Sequence, residues 1–354
     1  MRSDADPCLH FLYDDSGHPV LLVVVWVDDL LVAGTRPQVD AFKKHLKLSF
    51  ELDDSGPVEH FLGLYISRDR AQRAIEISQA QYCRDLLKTF GMENSKSAKT
   101  PAIPKSVLGP LDDKEQPTKE PFRRAVGGLL YLSCQTRPDI ANAVRAVARW
   151  SAKPGLEHWT AVKRILRYVR GTMDYVLRYQ GRVVLAGYCD ADYATCPHTR
   201  RSVSGYLIQS NISPICWTSK TQSTVSLSTC EAEYRALSAL GQQVIWVIRL
   251  AAGFQLQLPN VFPIFEDNQG TIQLARHPFA HGRTKHVSVK YHHVRELLAN
   301  GTISIHYIST TEQLADLLTK ALHGPQHTQL TMQLLHIPII TITHRGGERK
   351  ESKG

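Results

Sequence analysis

The sequence predicts a mixed chain: α+β in its first part, α/β in its last, with a helical connection between them. Three observations carry this. A β-branched run over residues 20–27 is followed by two segments with helical apolar spacing. Three helical patterns then follow one another between residues 122 and 170. From Arg182 onward the signals run βββ-α-β-α-α-β-α, which suits one mixed sheet covered by helices.

The run 20–27 suits a buried strand, and 30–33 its hairpin partner. Val39, Phe42 and Leu46 recur at helical spacing within 38–48. Tyr82, Leu86, Leu87 and Phe90 do so within 79–90, where Gly91 is placed to end the helix. Pro101, Pro104, Pro110 and Pro117 interrupt the polar stretch 93–119, which reads as a linker. Helices are expected over 122–133, over 138–151 with Pro138 near the first turn, and over 156–170. Strands are expected over 183–190, 202–209 and 214–219, followed by a long helix over 229–252. A strand over 261–266, helices over 270–276 and 287–299, a strand over 302–308 and a helix over 311–322 complete the pattern. The polar, basic end, 344–353, is expected to be disordered. The expected units are 1–100, 101–181, 182–324 and a partly disordered tail, 325–354.

The 354 residues are 43% hydrophobic and 21% charged, which excludes a wholly disordered chain, a collagen and a disulfide scaffold. The net charge of +9 leaves an anionic partner open, nucleic acid first. Cys8, Cys83, Cys134, Cys189, Cys196, Cys216 and Cys230 form no CxxC pair. That scatter predicts reduced thiols in an intracellular compartment and argues against a zinc knuckle. The apolar run 19–27 is too short to span a membrane and stops at Asp28–Asp29, and the polar N-terminus shows no signal peptide. No membrane partner is expected.

Much of the positive charge sits between residues 137 and 170. Arg137, Arg145, Arg149, Lys153, Lys163, Arg164, Arg167 and Arg170 outnumber Asp139 and Glu157 there. Trp159, Val162, Leu166 and Val169 form an apolar stripe on the last helix of this region, and Lys163, Arg164, Arg167 and Arg170 fall largely outside it. With Arg145 and Arg149 they are candidates for contacting a nucleic-acid backbone without reading its sequence. The plain alternative is a solvated helix surface.

Two sets of acids bear on chemistry. Asp28 and Asp29 sit between two apolar runs, where strand alternation would send their side chains to opposite faces. The second set is spread along the last region. Asp190 ends a strand in Tyr188-Cys-Asp-Ala-Asp-Tyr193, and Glu231 and Glu233 open the long helix. Asp267 ends the next strand, and Asp316 lies on the final helix. Converging at one end of a sheet, such acids cannot all stay ionised unless cations neutralise them. Mg²⁺ fits, with Mn²⁺ as the alternative, and two ions about 4 Å apart can activate water and stabilise a leaving oxygen. Glu231 and Glu233 cannot both face one site from a regular helix, and Glu233 is the expected ligand.

These residues resemble a family. Trp26-Val-Asp-Asp-Leu-Leu-Val-Ala-Gly34 resembles the YVDD motif of reverse transcriptases, and Phe61-Leu-Gly-Leu-Tyr-Ile66 the hairpin that follows it. Gly127-Gly-Leu-Leu-Tyr-Leu132, Thr136-Arg-Pro-Asp-Ile140 and His158-Trp-Thr-Ala-Val-Lys-Arg-Ile-Leu-Arg-Tyr168 resemble the connecting region of copia-type LTR-retrotransposon Pol polyproteins. Asp190-Ala-Asp192, Glu231-Ala-Glu-Tyr234, Asp267-Asn-Gln269, His286, Lys290-Tyr-His-His-Val-Arg-Glu296 and Ala315-Asp-Leu-Leu-Thr-Lys320 resemble the ribonuclease H domain of the same family.

The resemblance implies a partial reverse-transcriptase palm and thumb, a helical connection and a ribonuclease H-like mixed-sheet domain. It implies cleavage of the RNA strand of an RNA–DNA hybrid, with Asp190, Glu233, Asp267 and Asp316 holding two Mg²⁺ ions. Asp192, Glu231 and Glu266 are the acids most easily confused with them. Trp26 departs from the family's Tyr or Phe, and the chain begins shortly before the motif, without the fingers or the earlier palm aspartate. Asp28 and Asp29 are therefore expected to be remnants or partial ligands, and polymerisation is not expected.

The expected partners are a hybrid, its backbone and other fragments of the polyprotein. The expected location is the cytoplasm, in a virus-like particle, or the nucleus. His286, His292, His293 and His306 are candidates for proton transfer near a phosphate, against the commoner structural role. Trp159, Trp217 and Trp246 read as core rather than base-stacking residues. Gly127–Gly128 lacks the spacing of a dinucleotide or P-loop fingerprint, so no nucleotide cofactor is expected. The rivals are a non-catalytic nucleic-acid-binding remnant and a DNA strand-transferase of the same broad fold.

Overall fold

The computed structural model describes residues 1–112, 114–277 and 288–338, the side chains of 288–291 excepted. The described residues form three sheets. The first is the antiparallel set β1 (Leu9–Tyr13), β2 (Pro19–Trp26) and β3 (Asp29–Gly34). Trp26 pairs with Asp29, so the β2–β3 turn is two residues long. Such turns need left-handed backbone, and Val27 takes it at φ 53°, an unfavourable place for a β-branched side chain. Strand β1 was not legible, because its five residues lie in a polar context. It packs on the far end of the long helix through Phe11, which meets Phe254 edge-on at 5.2 Å between ring centroids. Helix α1 (Arg36–Leu46) follows and buries none of its residues.

The second sheet runs β4 (His60–Phe61), β5 (Leu64–Asp69), β6 (Ala74–Ser78) and β7 (Leu177–Gln180). Strand β7 pairs antiparallel with β6, Leu177 opposite Ile77, although four helices separate them in the chain. These are α2 (Ala80–Thr89), α3 (Phe122–Gln135), α4 (Ala141–Ala148) and α5 (Leu156–Gly171). They share one core of Leu87, Phe122, Leu129, Ile140, Val144, Ile165 and Leu166. The helix expected over 138–151 begins as a 3₁₀ turn, Pro138–Ile140, and ends at Ala148. Trp150 N–H and Ser151 N–H reach carbonyls three residues back, which tightens its end.

Arg137 sits beneath this bundle, 1% exposed, and donates to both oxygens of Asp139 at 2.9 and 2.7 Å. It also donates to Thr172 O and Thr172 Oγ1, while Tyr168 Oη donates to Asp139 at 2.7 Å. The guanidinium holds the Asp139 carboxyl below its ordinary value against the opposing effect of burial. The Thr136–Ile140 motif is thereby a structural joint between α3, α4 and α5.

The third sheet has the order β10-β9-β8-β11-β12. Strands β8 (Leu185–Asp192), β9 (Val203–Ser210) and β10 (Ser213–Thr221) form an antiparallel meander, and β11 (Phe262–Glu266) and β12 (Ile303–Tyr307) add in parallel to β8. Strand alternation sends Ile208 to one face and Leu207 to the other. On the first face lie α6 (Thr229–Gly253), α7 (Gln269–Arg276) and α8 (Ser288–Ala299). On the second lie α9 (Asp316–Thr319) and α10 (Gly324–Thr331). This is the mixed sheet covered by helices that the sequence led us to expect.

Helix α6 is long and apolar enough to cross a membrane, but Leu237, Leu240 and Val244 are buried in the sheet's core. The helix expected over 311–322 is helical only over Asp316–Thr319. Ser309 Oγ accepts from Thr311 N–H and Gln313 Oε1 from Ala315 N–H, so local side-chain bonds replace an earlier helical start, while Gln313 also donates to the distant Cys189 O at 3.0 Å. The expected tail begins instead as α10, and Leu330, Leu334 and Leu335 are fully buried. Residues 339–354 lie outside the described residues.

Candidate active site

Asp190 lies near the end of β8, 1% exposed, paired across the sheet with Gly205 of β9. A Cβ on Gly205 would come within 2.7 Å of Leu318 Cβ and Thr319 Cγ2. The glycine therefore admits α9, which brings Asp316 and Thr319 over Asp190. Thr319 Oγ1 donates to Asp190 Oδ2. Lys320 Nζ lies 2.7 Å from Asp316 Oδ1 and 3.2 Å from Asp190 Oδ1.

Asp267 follows the end of β11, and Thr310 Oγ1 donates to its Oδ2 at 2.7 Å. Ligand oxygens of Asp190, Asp267 and Asp316 lie within 4.8 Å of one another, and so do those of Glu233, Glu266 and Asp267. The four acids singled out in the sequence are thus brought together, with Asp267 common to both groups.

Glu233 enters from the first turns of α6, where Ser228 Oγ accepts from Glu231 N–H as the helix cap. Its Oε2 is buried and makes no hydrogen bond. Glu231 faces elsewhere, bonded to Arg235 at 2.6 Å and to Leu227 N–H at 2.8 Å. Glu266 is fully buried one residue before Asp267, accepting from Cys189 Sγ and Asn268 N–H. The sequence marked Glu266 only as an acid easily confused with the four ligands; β11 ends at Glu266, and its carboxylate lies in one group with those of Glu233 and Asp267. Lys320 was visible only as the last letter of a motif, and its spacing four residues after Asp316 was the available signal.

Burial pushes the Asp190 carboxyl up, partly offset by Lys320 and Thr319. Burial, reinforced by the charges of Asp190 and Glu266, raises Glu233 well above the carboxylate range. The same cause raises Glu266 to about 8 and, with the Asp190 charge, Asp316 to about 7. Burial opposes the charge on Lys320, but Asp190 and Asp316 raise its ammonium above its ordinary value.

The metal-free site therefore holds protons that the unfolded chain has released. Raised carboxyls contribute stability that is complete below about pH 4 and lost as pH rises through their folded values. In chelator, the parent's thermal midpoint is expected to fall relative to Asp316→Asn as pH rises toward 8. Mg²⁺ should restore it most at the alkaline end, where its ligands are deprotonated. A parent midpoint that rises relative to the variant over that range would contradict the assignment.

The other candidates sit elsewhere. Asp28 and Asp29 are exposed at the β2–β3 hairpin. Among the described residues, no third His, Cys, Asp or Glu joins them as a ligand group. Arg145 is largely buried and bonded to Asn142, Ser219 and Thr221, and burial lowers its guanidinium to about 10. Arg149 donates to Cys196 Sγ and lies 5.2 Å from the Trp150 ring centroid. Arg164 donates to Thr100, Arg167 to Lys96 O and Arg170 to Glu93 O. These three bind the stretch expected to be a linker onto α5, while Lys163 is half-buried on the same helix.

His306 is exposed on β12 beside Ser304, and His293 lies beside Gly241 of α6. His292 is exposed on α8, and His286 falls outside the described residues. Trp159 is core and Trp217 donates to Ser133 O, but Trp246 is 38% exposed and donates to Ala5 O.

The family model described as reverse transcriptase (RNA-dependent DNA polymerase) matches residues 1–104. The Pol polyprotein of transposon TNT 1-94 from Nicotiana tabacum is 38% identical over 90% of this chain. That of transposon RE2 from Arabidopsis thaliana is 33% identical over 86%. The chain belongs to the copia-type retrotransposon Pol family. It spans 24% and 21% of those two polyproteins' lengths. The solved ribonuclease H1 of Halobacterium salinarum is similar over 39% of this chain and 95% of its own, at 21% identity and a TM-score of 0.29.

Proposed function

We propose that this Pol-family chain is a metal-dependent ribonuclease that cuts the RNA strand of an RNA–DNA hybrid. The observation that carries the reading is the carboxylate cluster at the strand ends of the mixed sheet, in which Asp190, Glu233 and Asp316 are buried and Asp267 half-buried. The donor set suits a hard cation, and the orphaned Glu233 Oε2 gives it an uncommitted buried oxygen. Mg²⁺, or Mn²⁺ in its place, would be held by these four residues and would supply Lewis-acid stabilisation and an activated water.

The protein's part is orientation. Thr310 fixes Asp267, Thr319 fixes Asp190, and Gly205 lets α9 deliver Asp316. Glu266 is held within the sheet by Cys189 Sγ and Asn268 N–H, beside Asp267. Selection is for hybrid shape and backbone rather than sequence. Arg145, Arg149, Arg164, Arg167 and Arg170 each donate to protein acceptors, so their remaining N–H groups, with Lys163, would make the phosphate contacts. No polymerase activity is proposed at the exposed Asp28 and Asp29. The setting we propose is intracellular, in cytoplasm or nucleus, alongside other fragments of the polyprotein.

A hybrid labelled on either strand and incubated with Mg²⁺ tests this. Shortening of the RNA strand alone is expected, with duplex DNA left intact. A hybrid that is bound and left whole would favour a non-catalytic binding remnant. Joining of DNA ends would favour a strand-transferase.

A further inference from the structure

We propose that Lys320 is the resident counter-cation of the acid cluster, and that a divalent ion binds only after its ammonium leaves the space between Asp190 and Asp316. The proposal rests on the metal-site part of the proposed function and deepens it.

The geometry is specific. Lys320 Nζ lies 2.7 Å from Asp316 Oδ1 and 3.2 Å from Asp190 Oδ1, so one ammonium spans two acids brought from different elements. Asp190 Oδ2 is already taken by Thr319 Oγ1. The lysine therefore occupies the remaining oxygen of Asp190, and it does so within the Asp190–Asp267–Asp316 group. Glu233, by contrast, has a buried oxygen with no donor. Among the described residues, the ammonium's two bonds fall on the Asp190–Asp316 side of the cluster, and no donor reaches Glu233 Oε2.

Both acids are almost wholly buried, whereas the lysine side chain is 30% exposed. Its flexible stem is thus the part of this trio able to move toward solvent. An ammonium cannot share an oxygen pair with a divalent cation, because like charges at contact distance repel strongly. Metal entry therefore exchanges two charge-assisted hydrogen bonds for metal–oxygen bonds. The released ammonium then stands at the mouth of the cluster, where a phosphate of the bound strand could take it up. Lys320 is in this sense a positioning residue: it orders the acids before the metal arrives and sets the concentration at which the metal can enter.

Binding of Mn²⁺ alone, with no nucleic acid, tests this by following the resonance signal of the free ion. Lys320→Met should bind Mn²⁺ about tenfold tighter than the parent or better, as expected from removing charge-assisted bonds that compete with the metal. Lys320→Arg, which keeps the charge, should bind no tighter than the parent. In chelator, Lys320→Met should melt below the parent, and saturating Mn²⁺ should close that gap. A merely structural lysine would lower stability without tightening metal binding. Equal Mn²⁺ affinity in parent and Lys320→Met would overturn the proposal while leaving the metal site intact. If parent, Lys320→Met and Lys320→Arg, each shown folded by circular dichroism, all fail to bind Mn²⁺, the metal reading falls, and this proposal with it.

Discussion

Asp267→Asn is expected to lower the proposed hybrid cleavage by about a thousandfold or more while leaving hybrid binding close to that of the parent. A loss of about a thousandfold is roughly 4 kcal/mol on the barrier. Asp267 carries this weight because it is the acid common to both ligand groups. It lies just past the strand end, half-buried, and Thr310 holds one of its oxygens. Asparagine keeps the shape and removes the charge, so the fold should survive. Asp190→Asn is expected to lose as much. Glu231→Gln is the control, since Glu231 is bonded to Arg235 and Leu227 instead of the cluster, and it should keep most of the activity. Single-turnover cleavage beside a binding titration separates the two effects. Cleavage by Asp267→Asn at the parent rate would show that the site is wrongly assigned.

Arg137→Leu is expected to destabilise the chain by about 3–5 kcal/mol, the cost of leaving a buried charge without its partner. Asp139 would lose both guanidinium bonds while staying sealed under Tyr168, and Thr172 would lose two donors. Arg137→Lys should not rescue it, because one ammonium cannot reproduce a bidentate pairing and the bonds to Thr172 together. The double variant Arg137→Leu, Asp139→Leu should recover part of the loss. Urea midpoints measure all three, and a shift for Arg137→Leu below about 1 kcal/mol, the range of exposed pairs, would count against the joint.

The sequence carried the mixed class, the long helix and the four acids because each depends on local signals. Val39, Phe42 and Leu46 repeat at helical spacing, and Asp190 and Asp267 each close an apolar run. What it hid depends on distant contacts. Strand β7 is four residues long and exists because β6 is beside it. The basic stripe of α5 read as a phosphate track, yet Arg164, Arg167 and Arg170 reach the segment around residues 93–100. An arginine's donors go to whichever acceptors the fold brings near, and no spacing rule reports that. Glu266 and Lys320 were passed over for the same reason: one works through Cys189 on a neighbouring strand, the other through Asp190, 130 residues earlier. The choice of Glu233 over Glu231 follows from one turn of helix, where the Ser228 cap and Arg235 turn Glu231 away.

Divalent-metal dependence of RNA-strand cleavage by the parent chain tests the central claim most directly. With labelled hybrid, the RNA strand should shorten in Mg²⁺ and remain whole in chelator, and activity should return when Mg²⁺ is restored. RNA left intact in Mg²⁺ by a folded chain that binds both the hybrid and Mn²⁺ would contradict it.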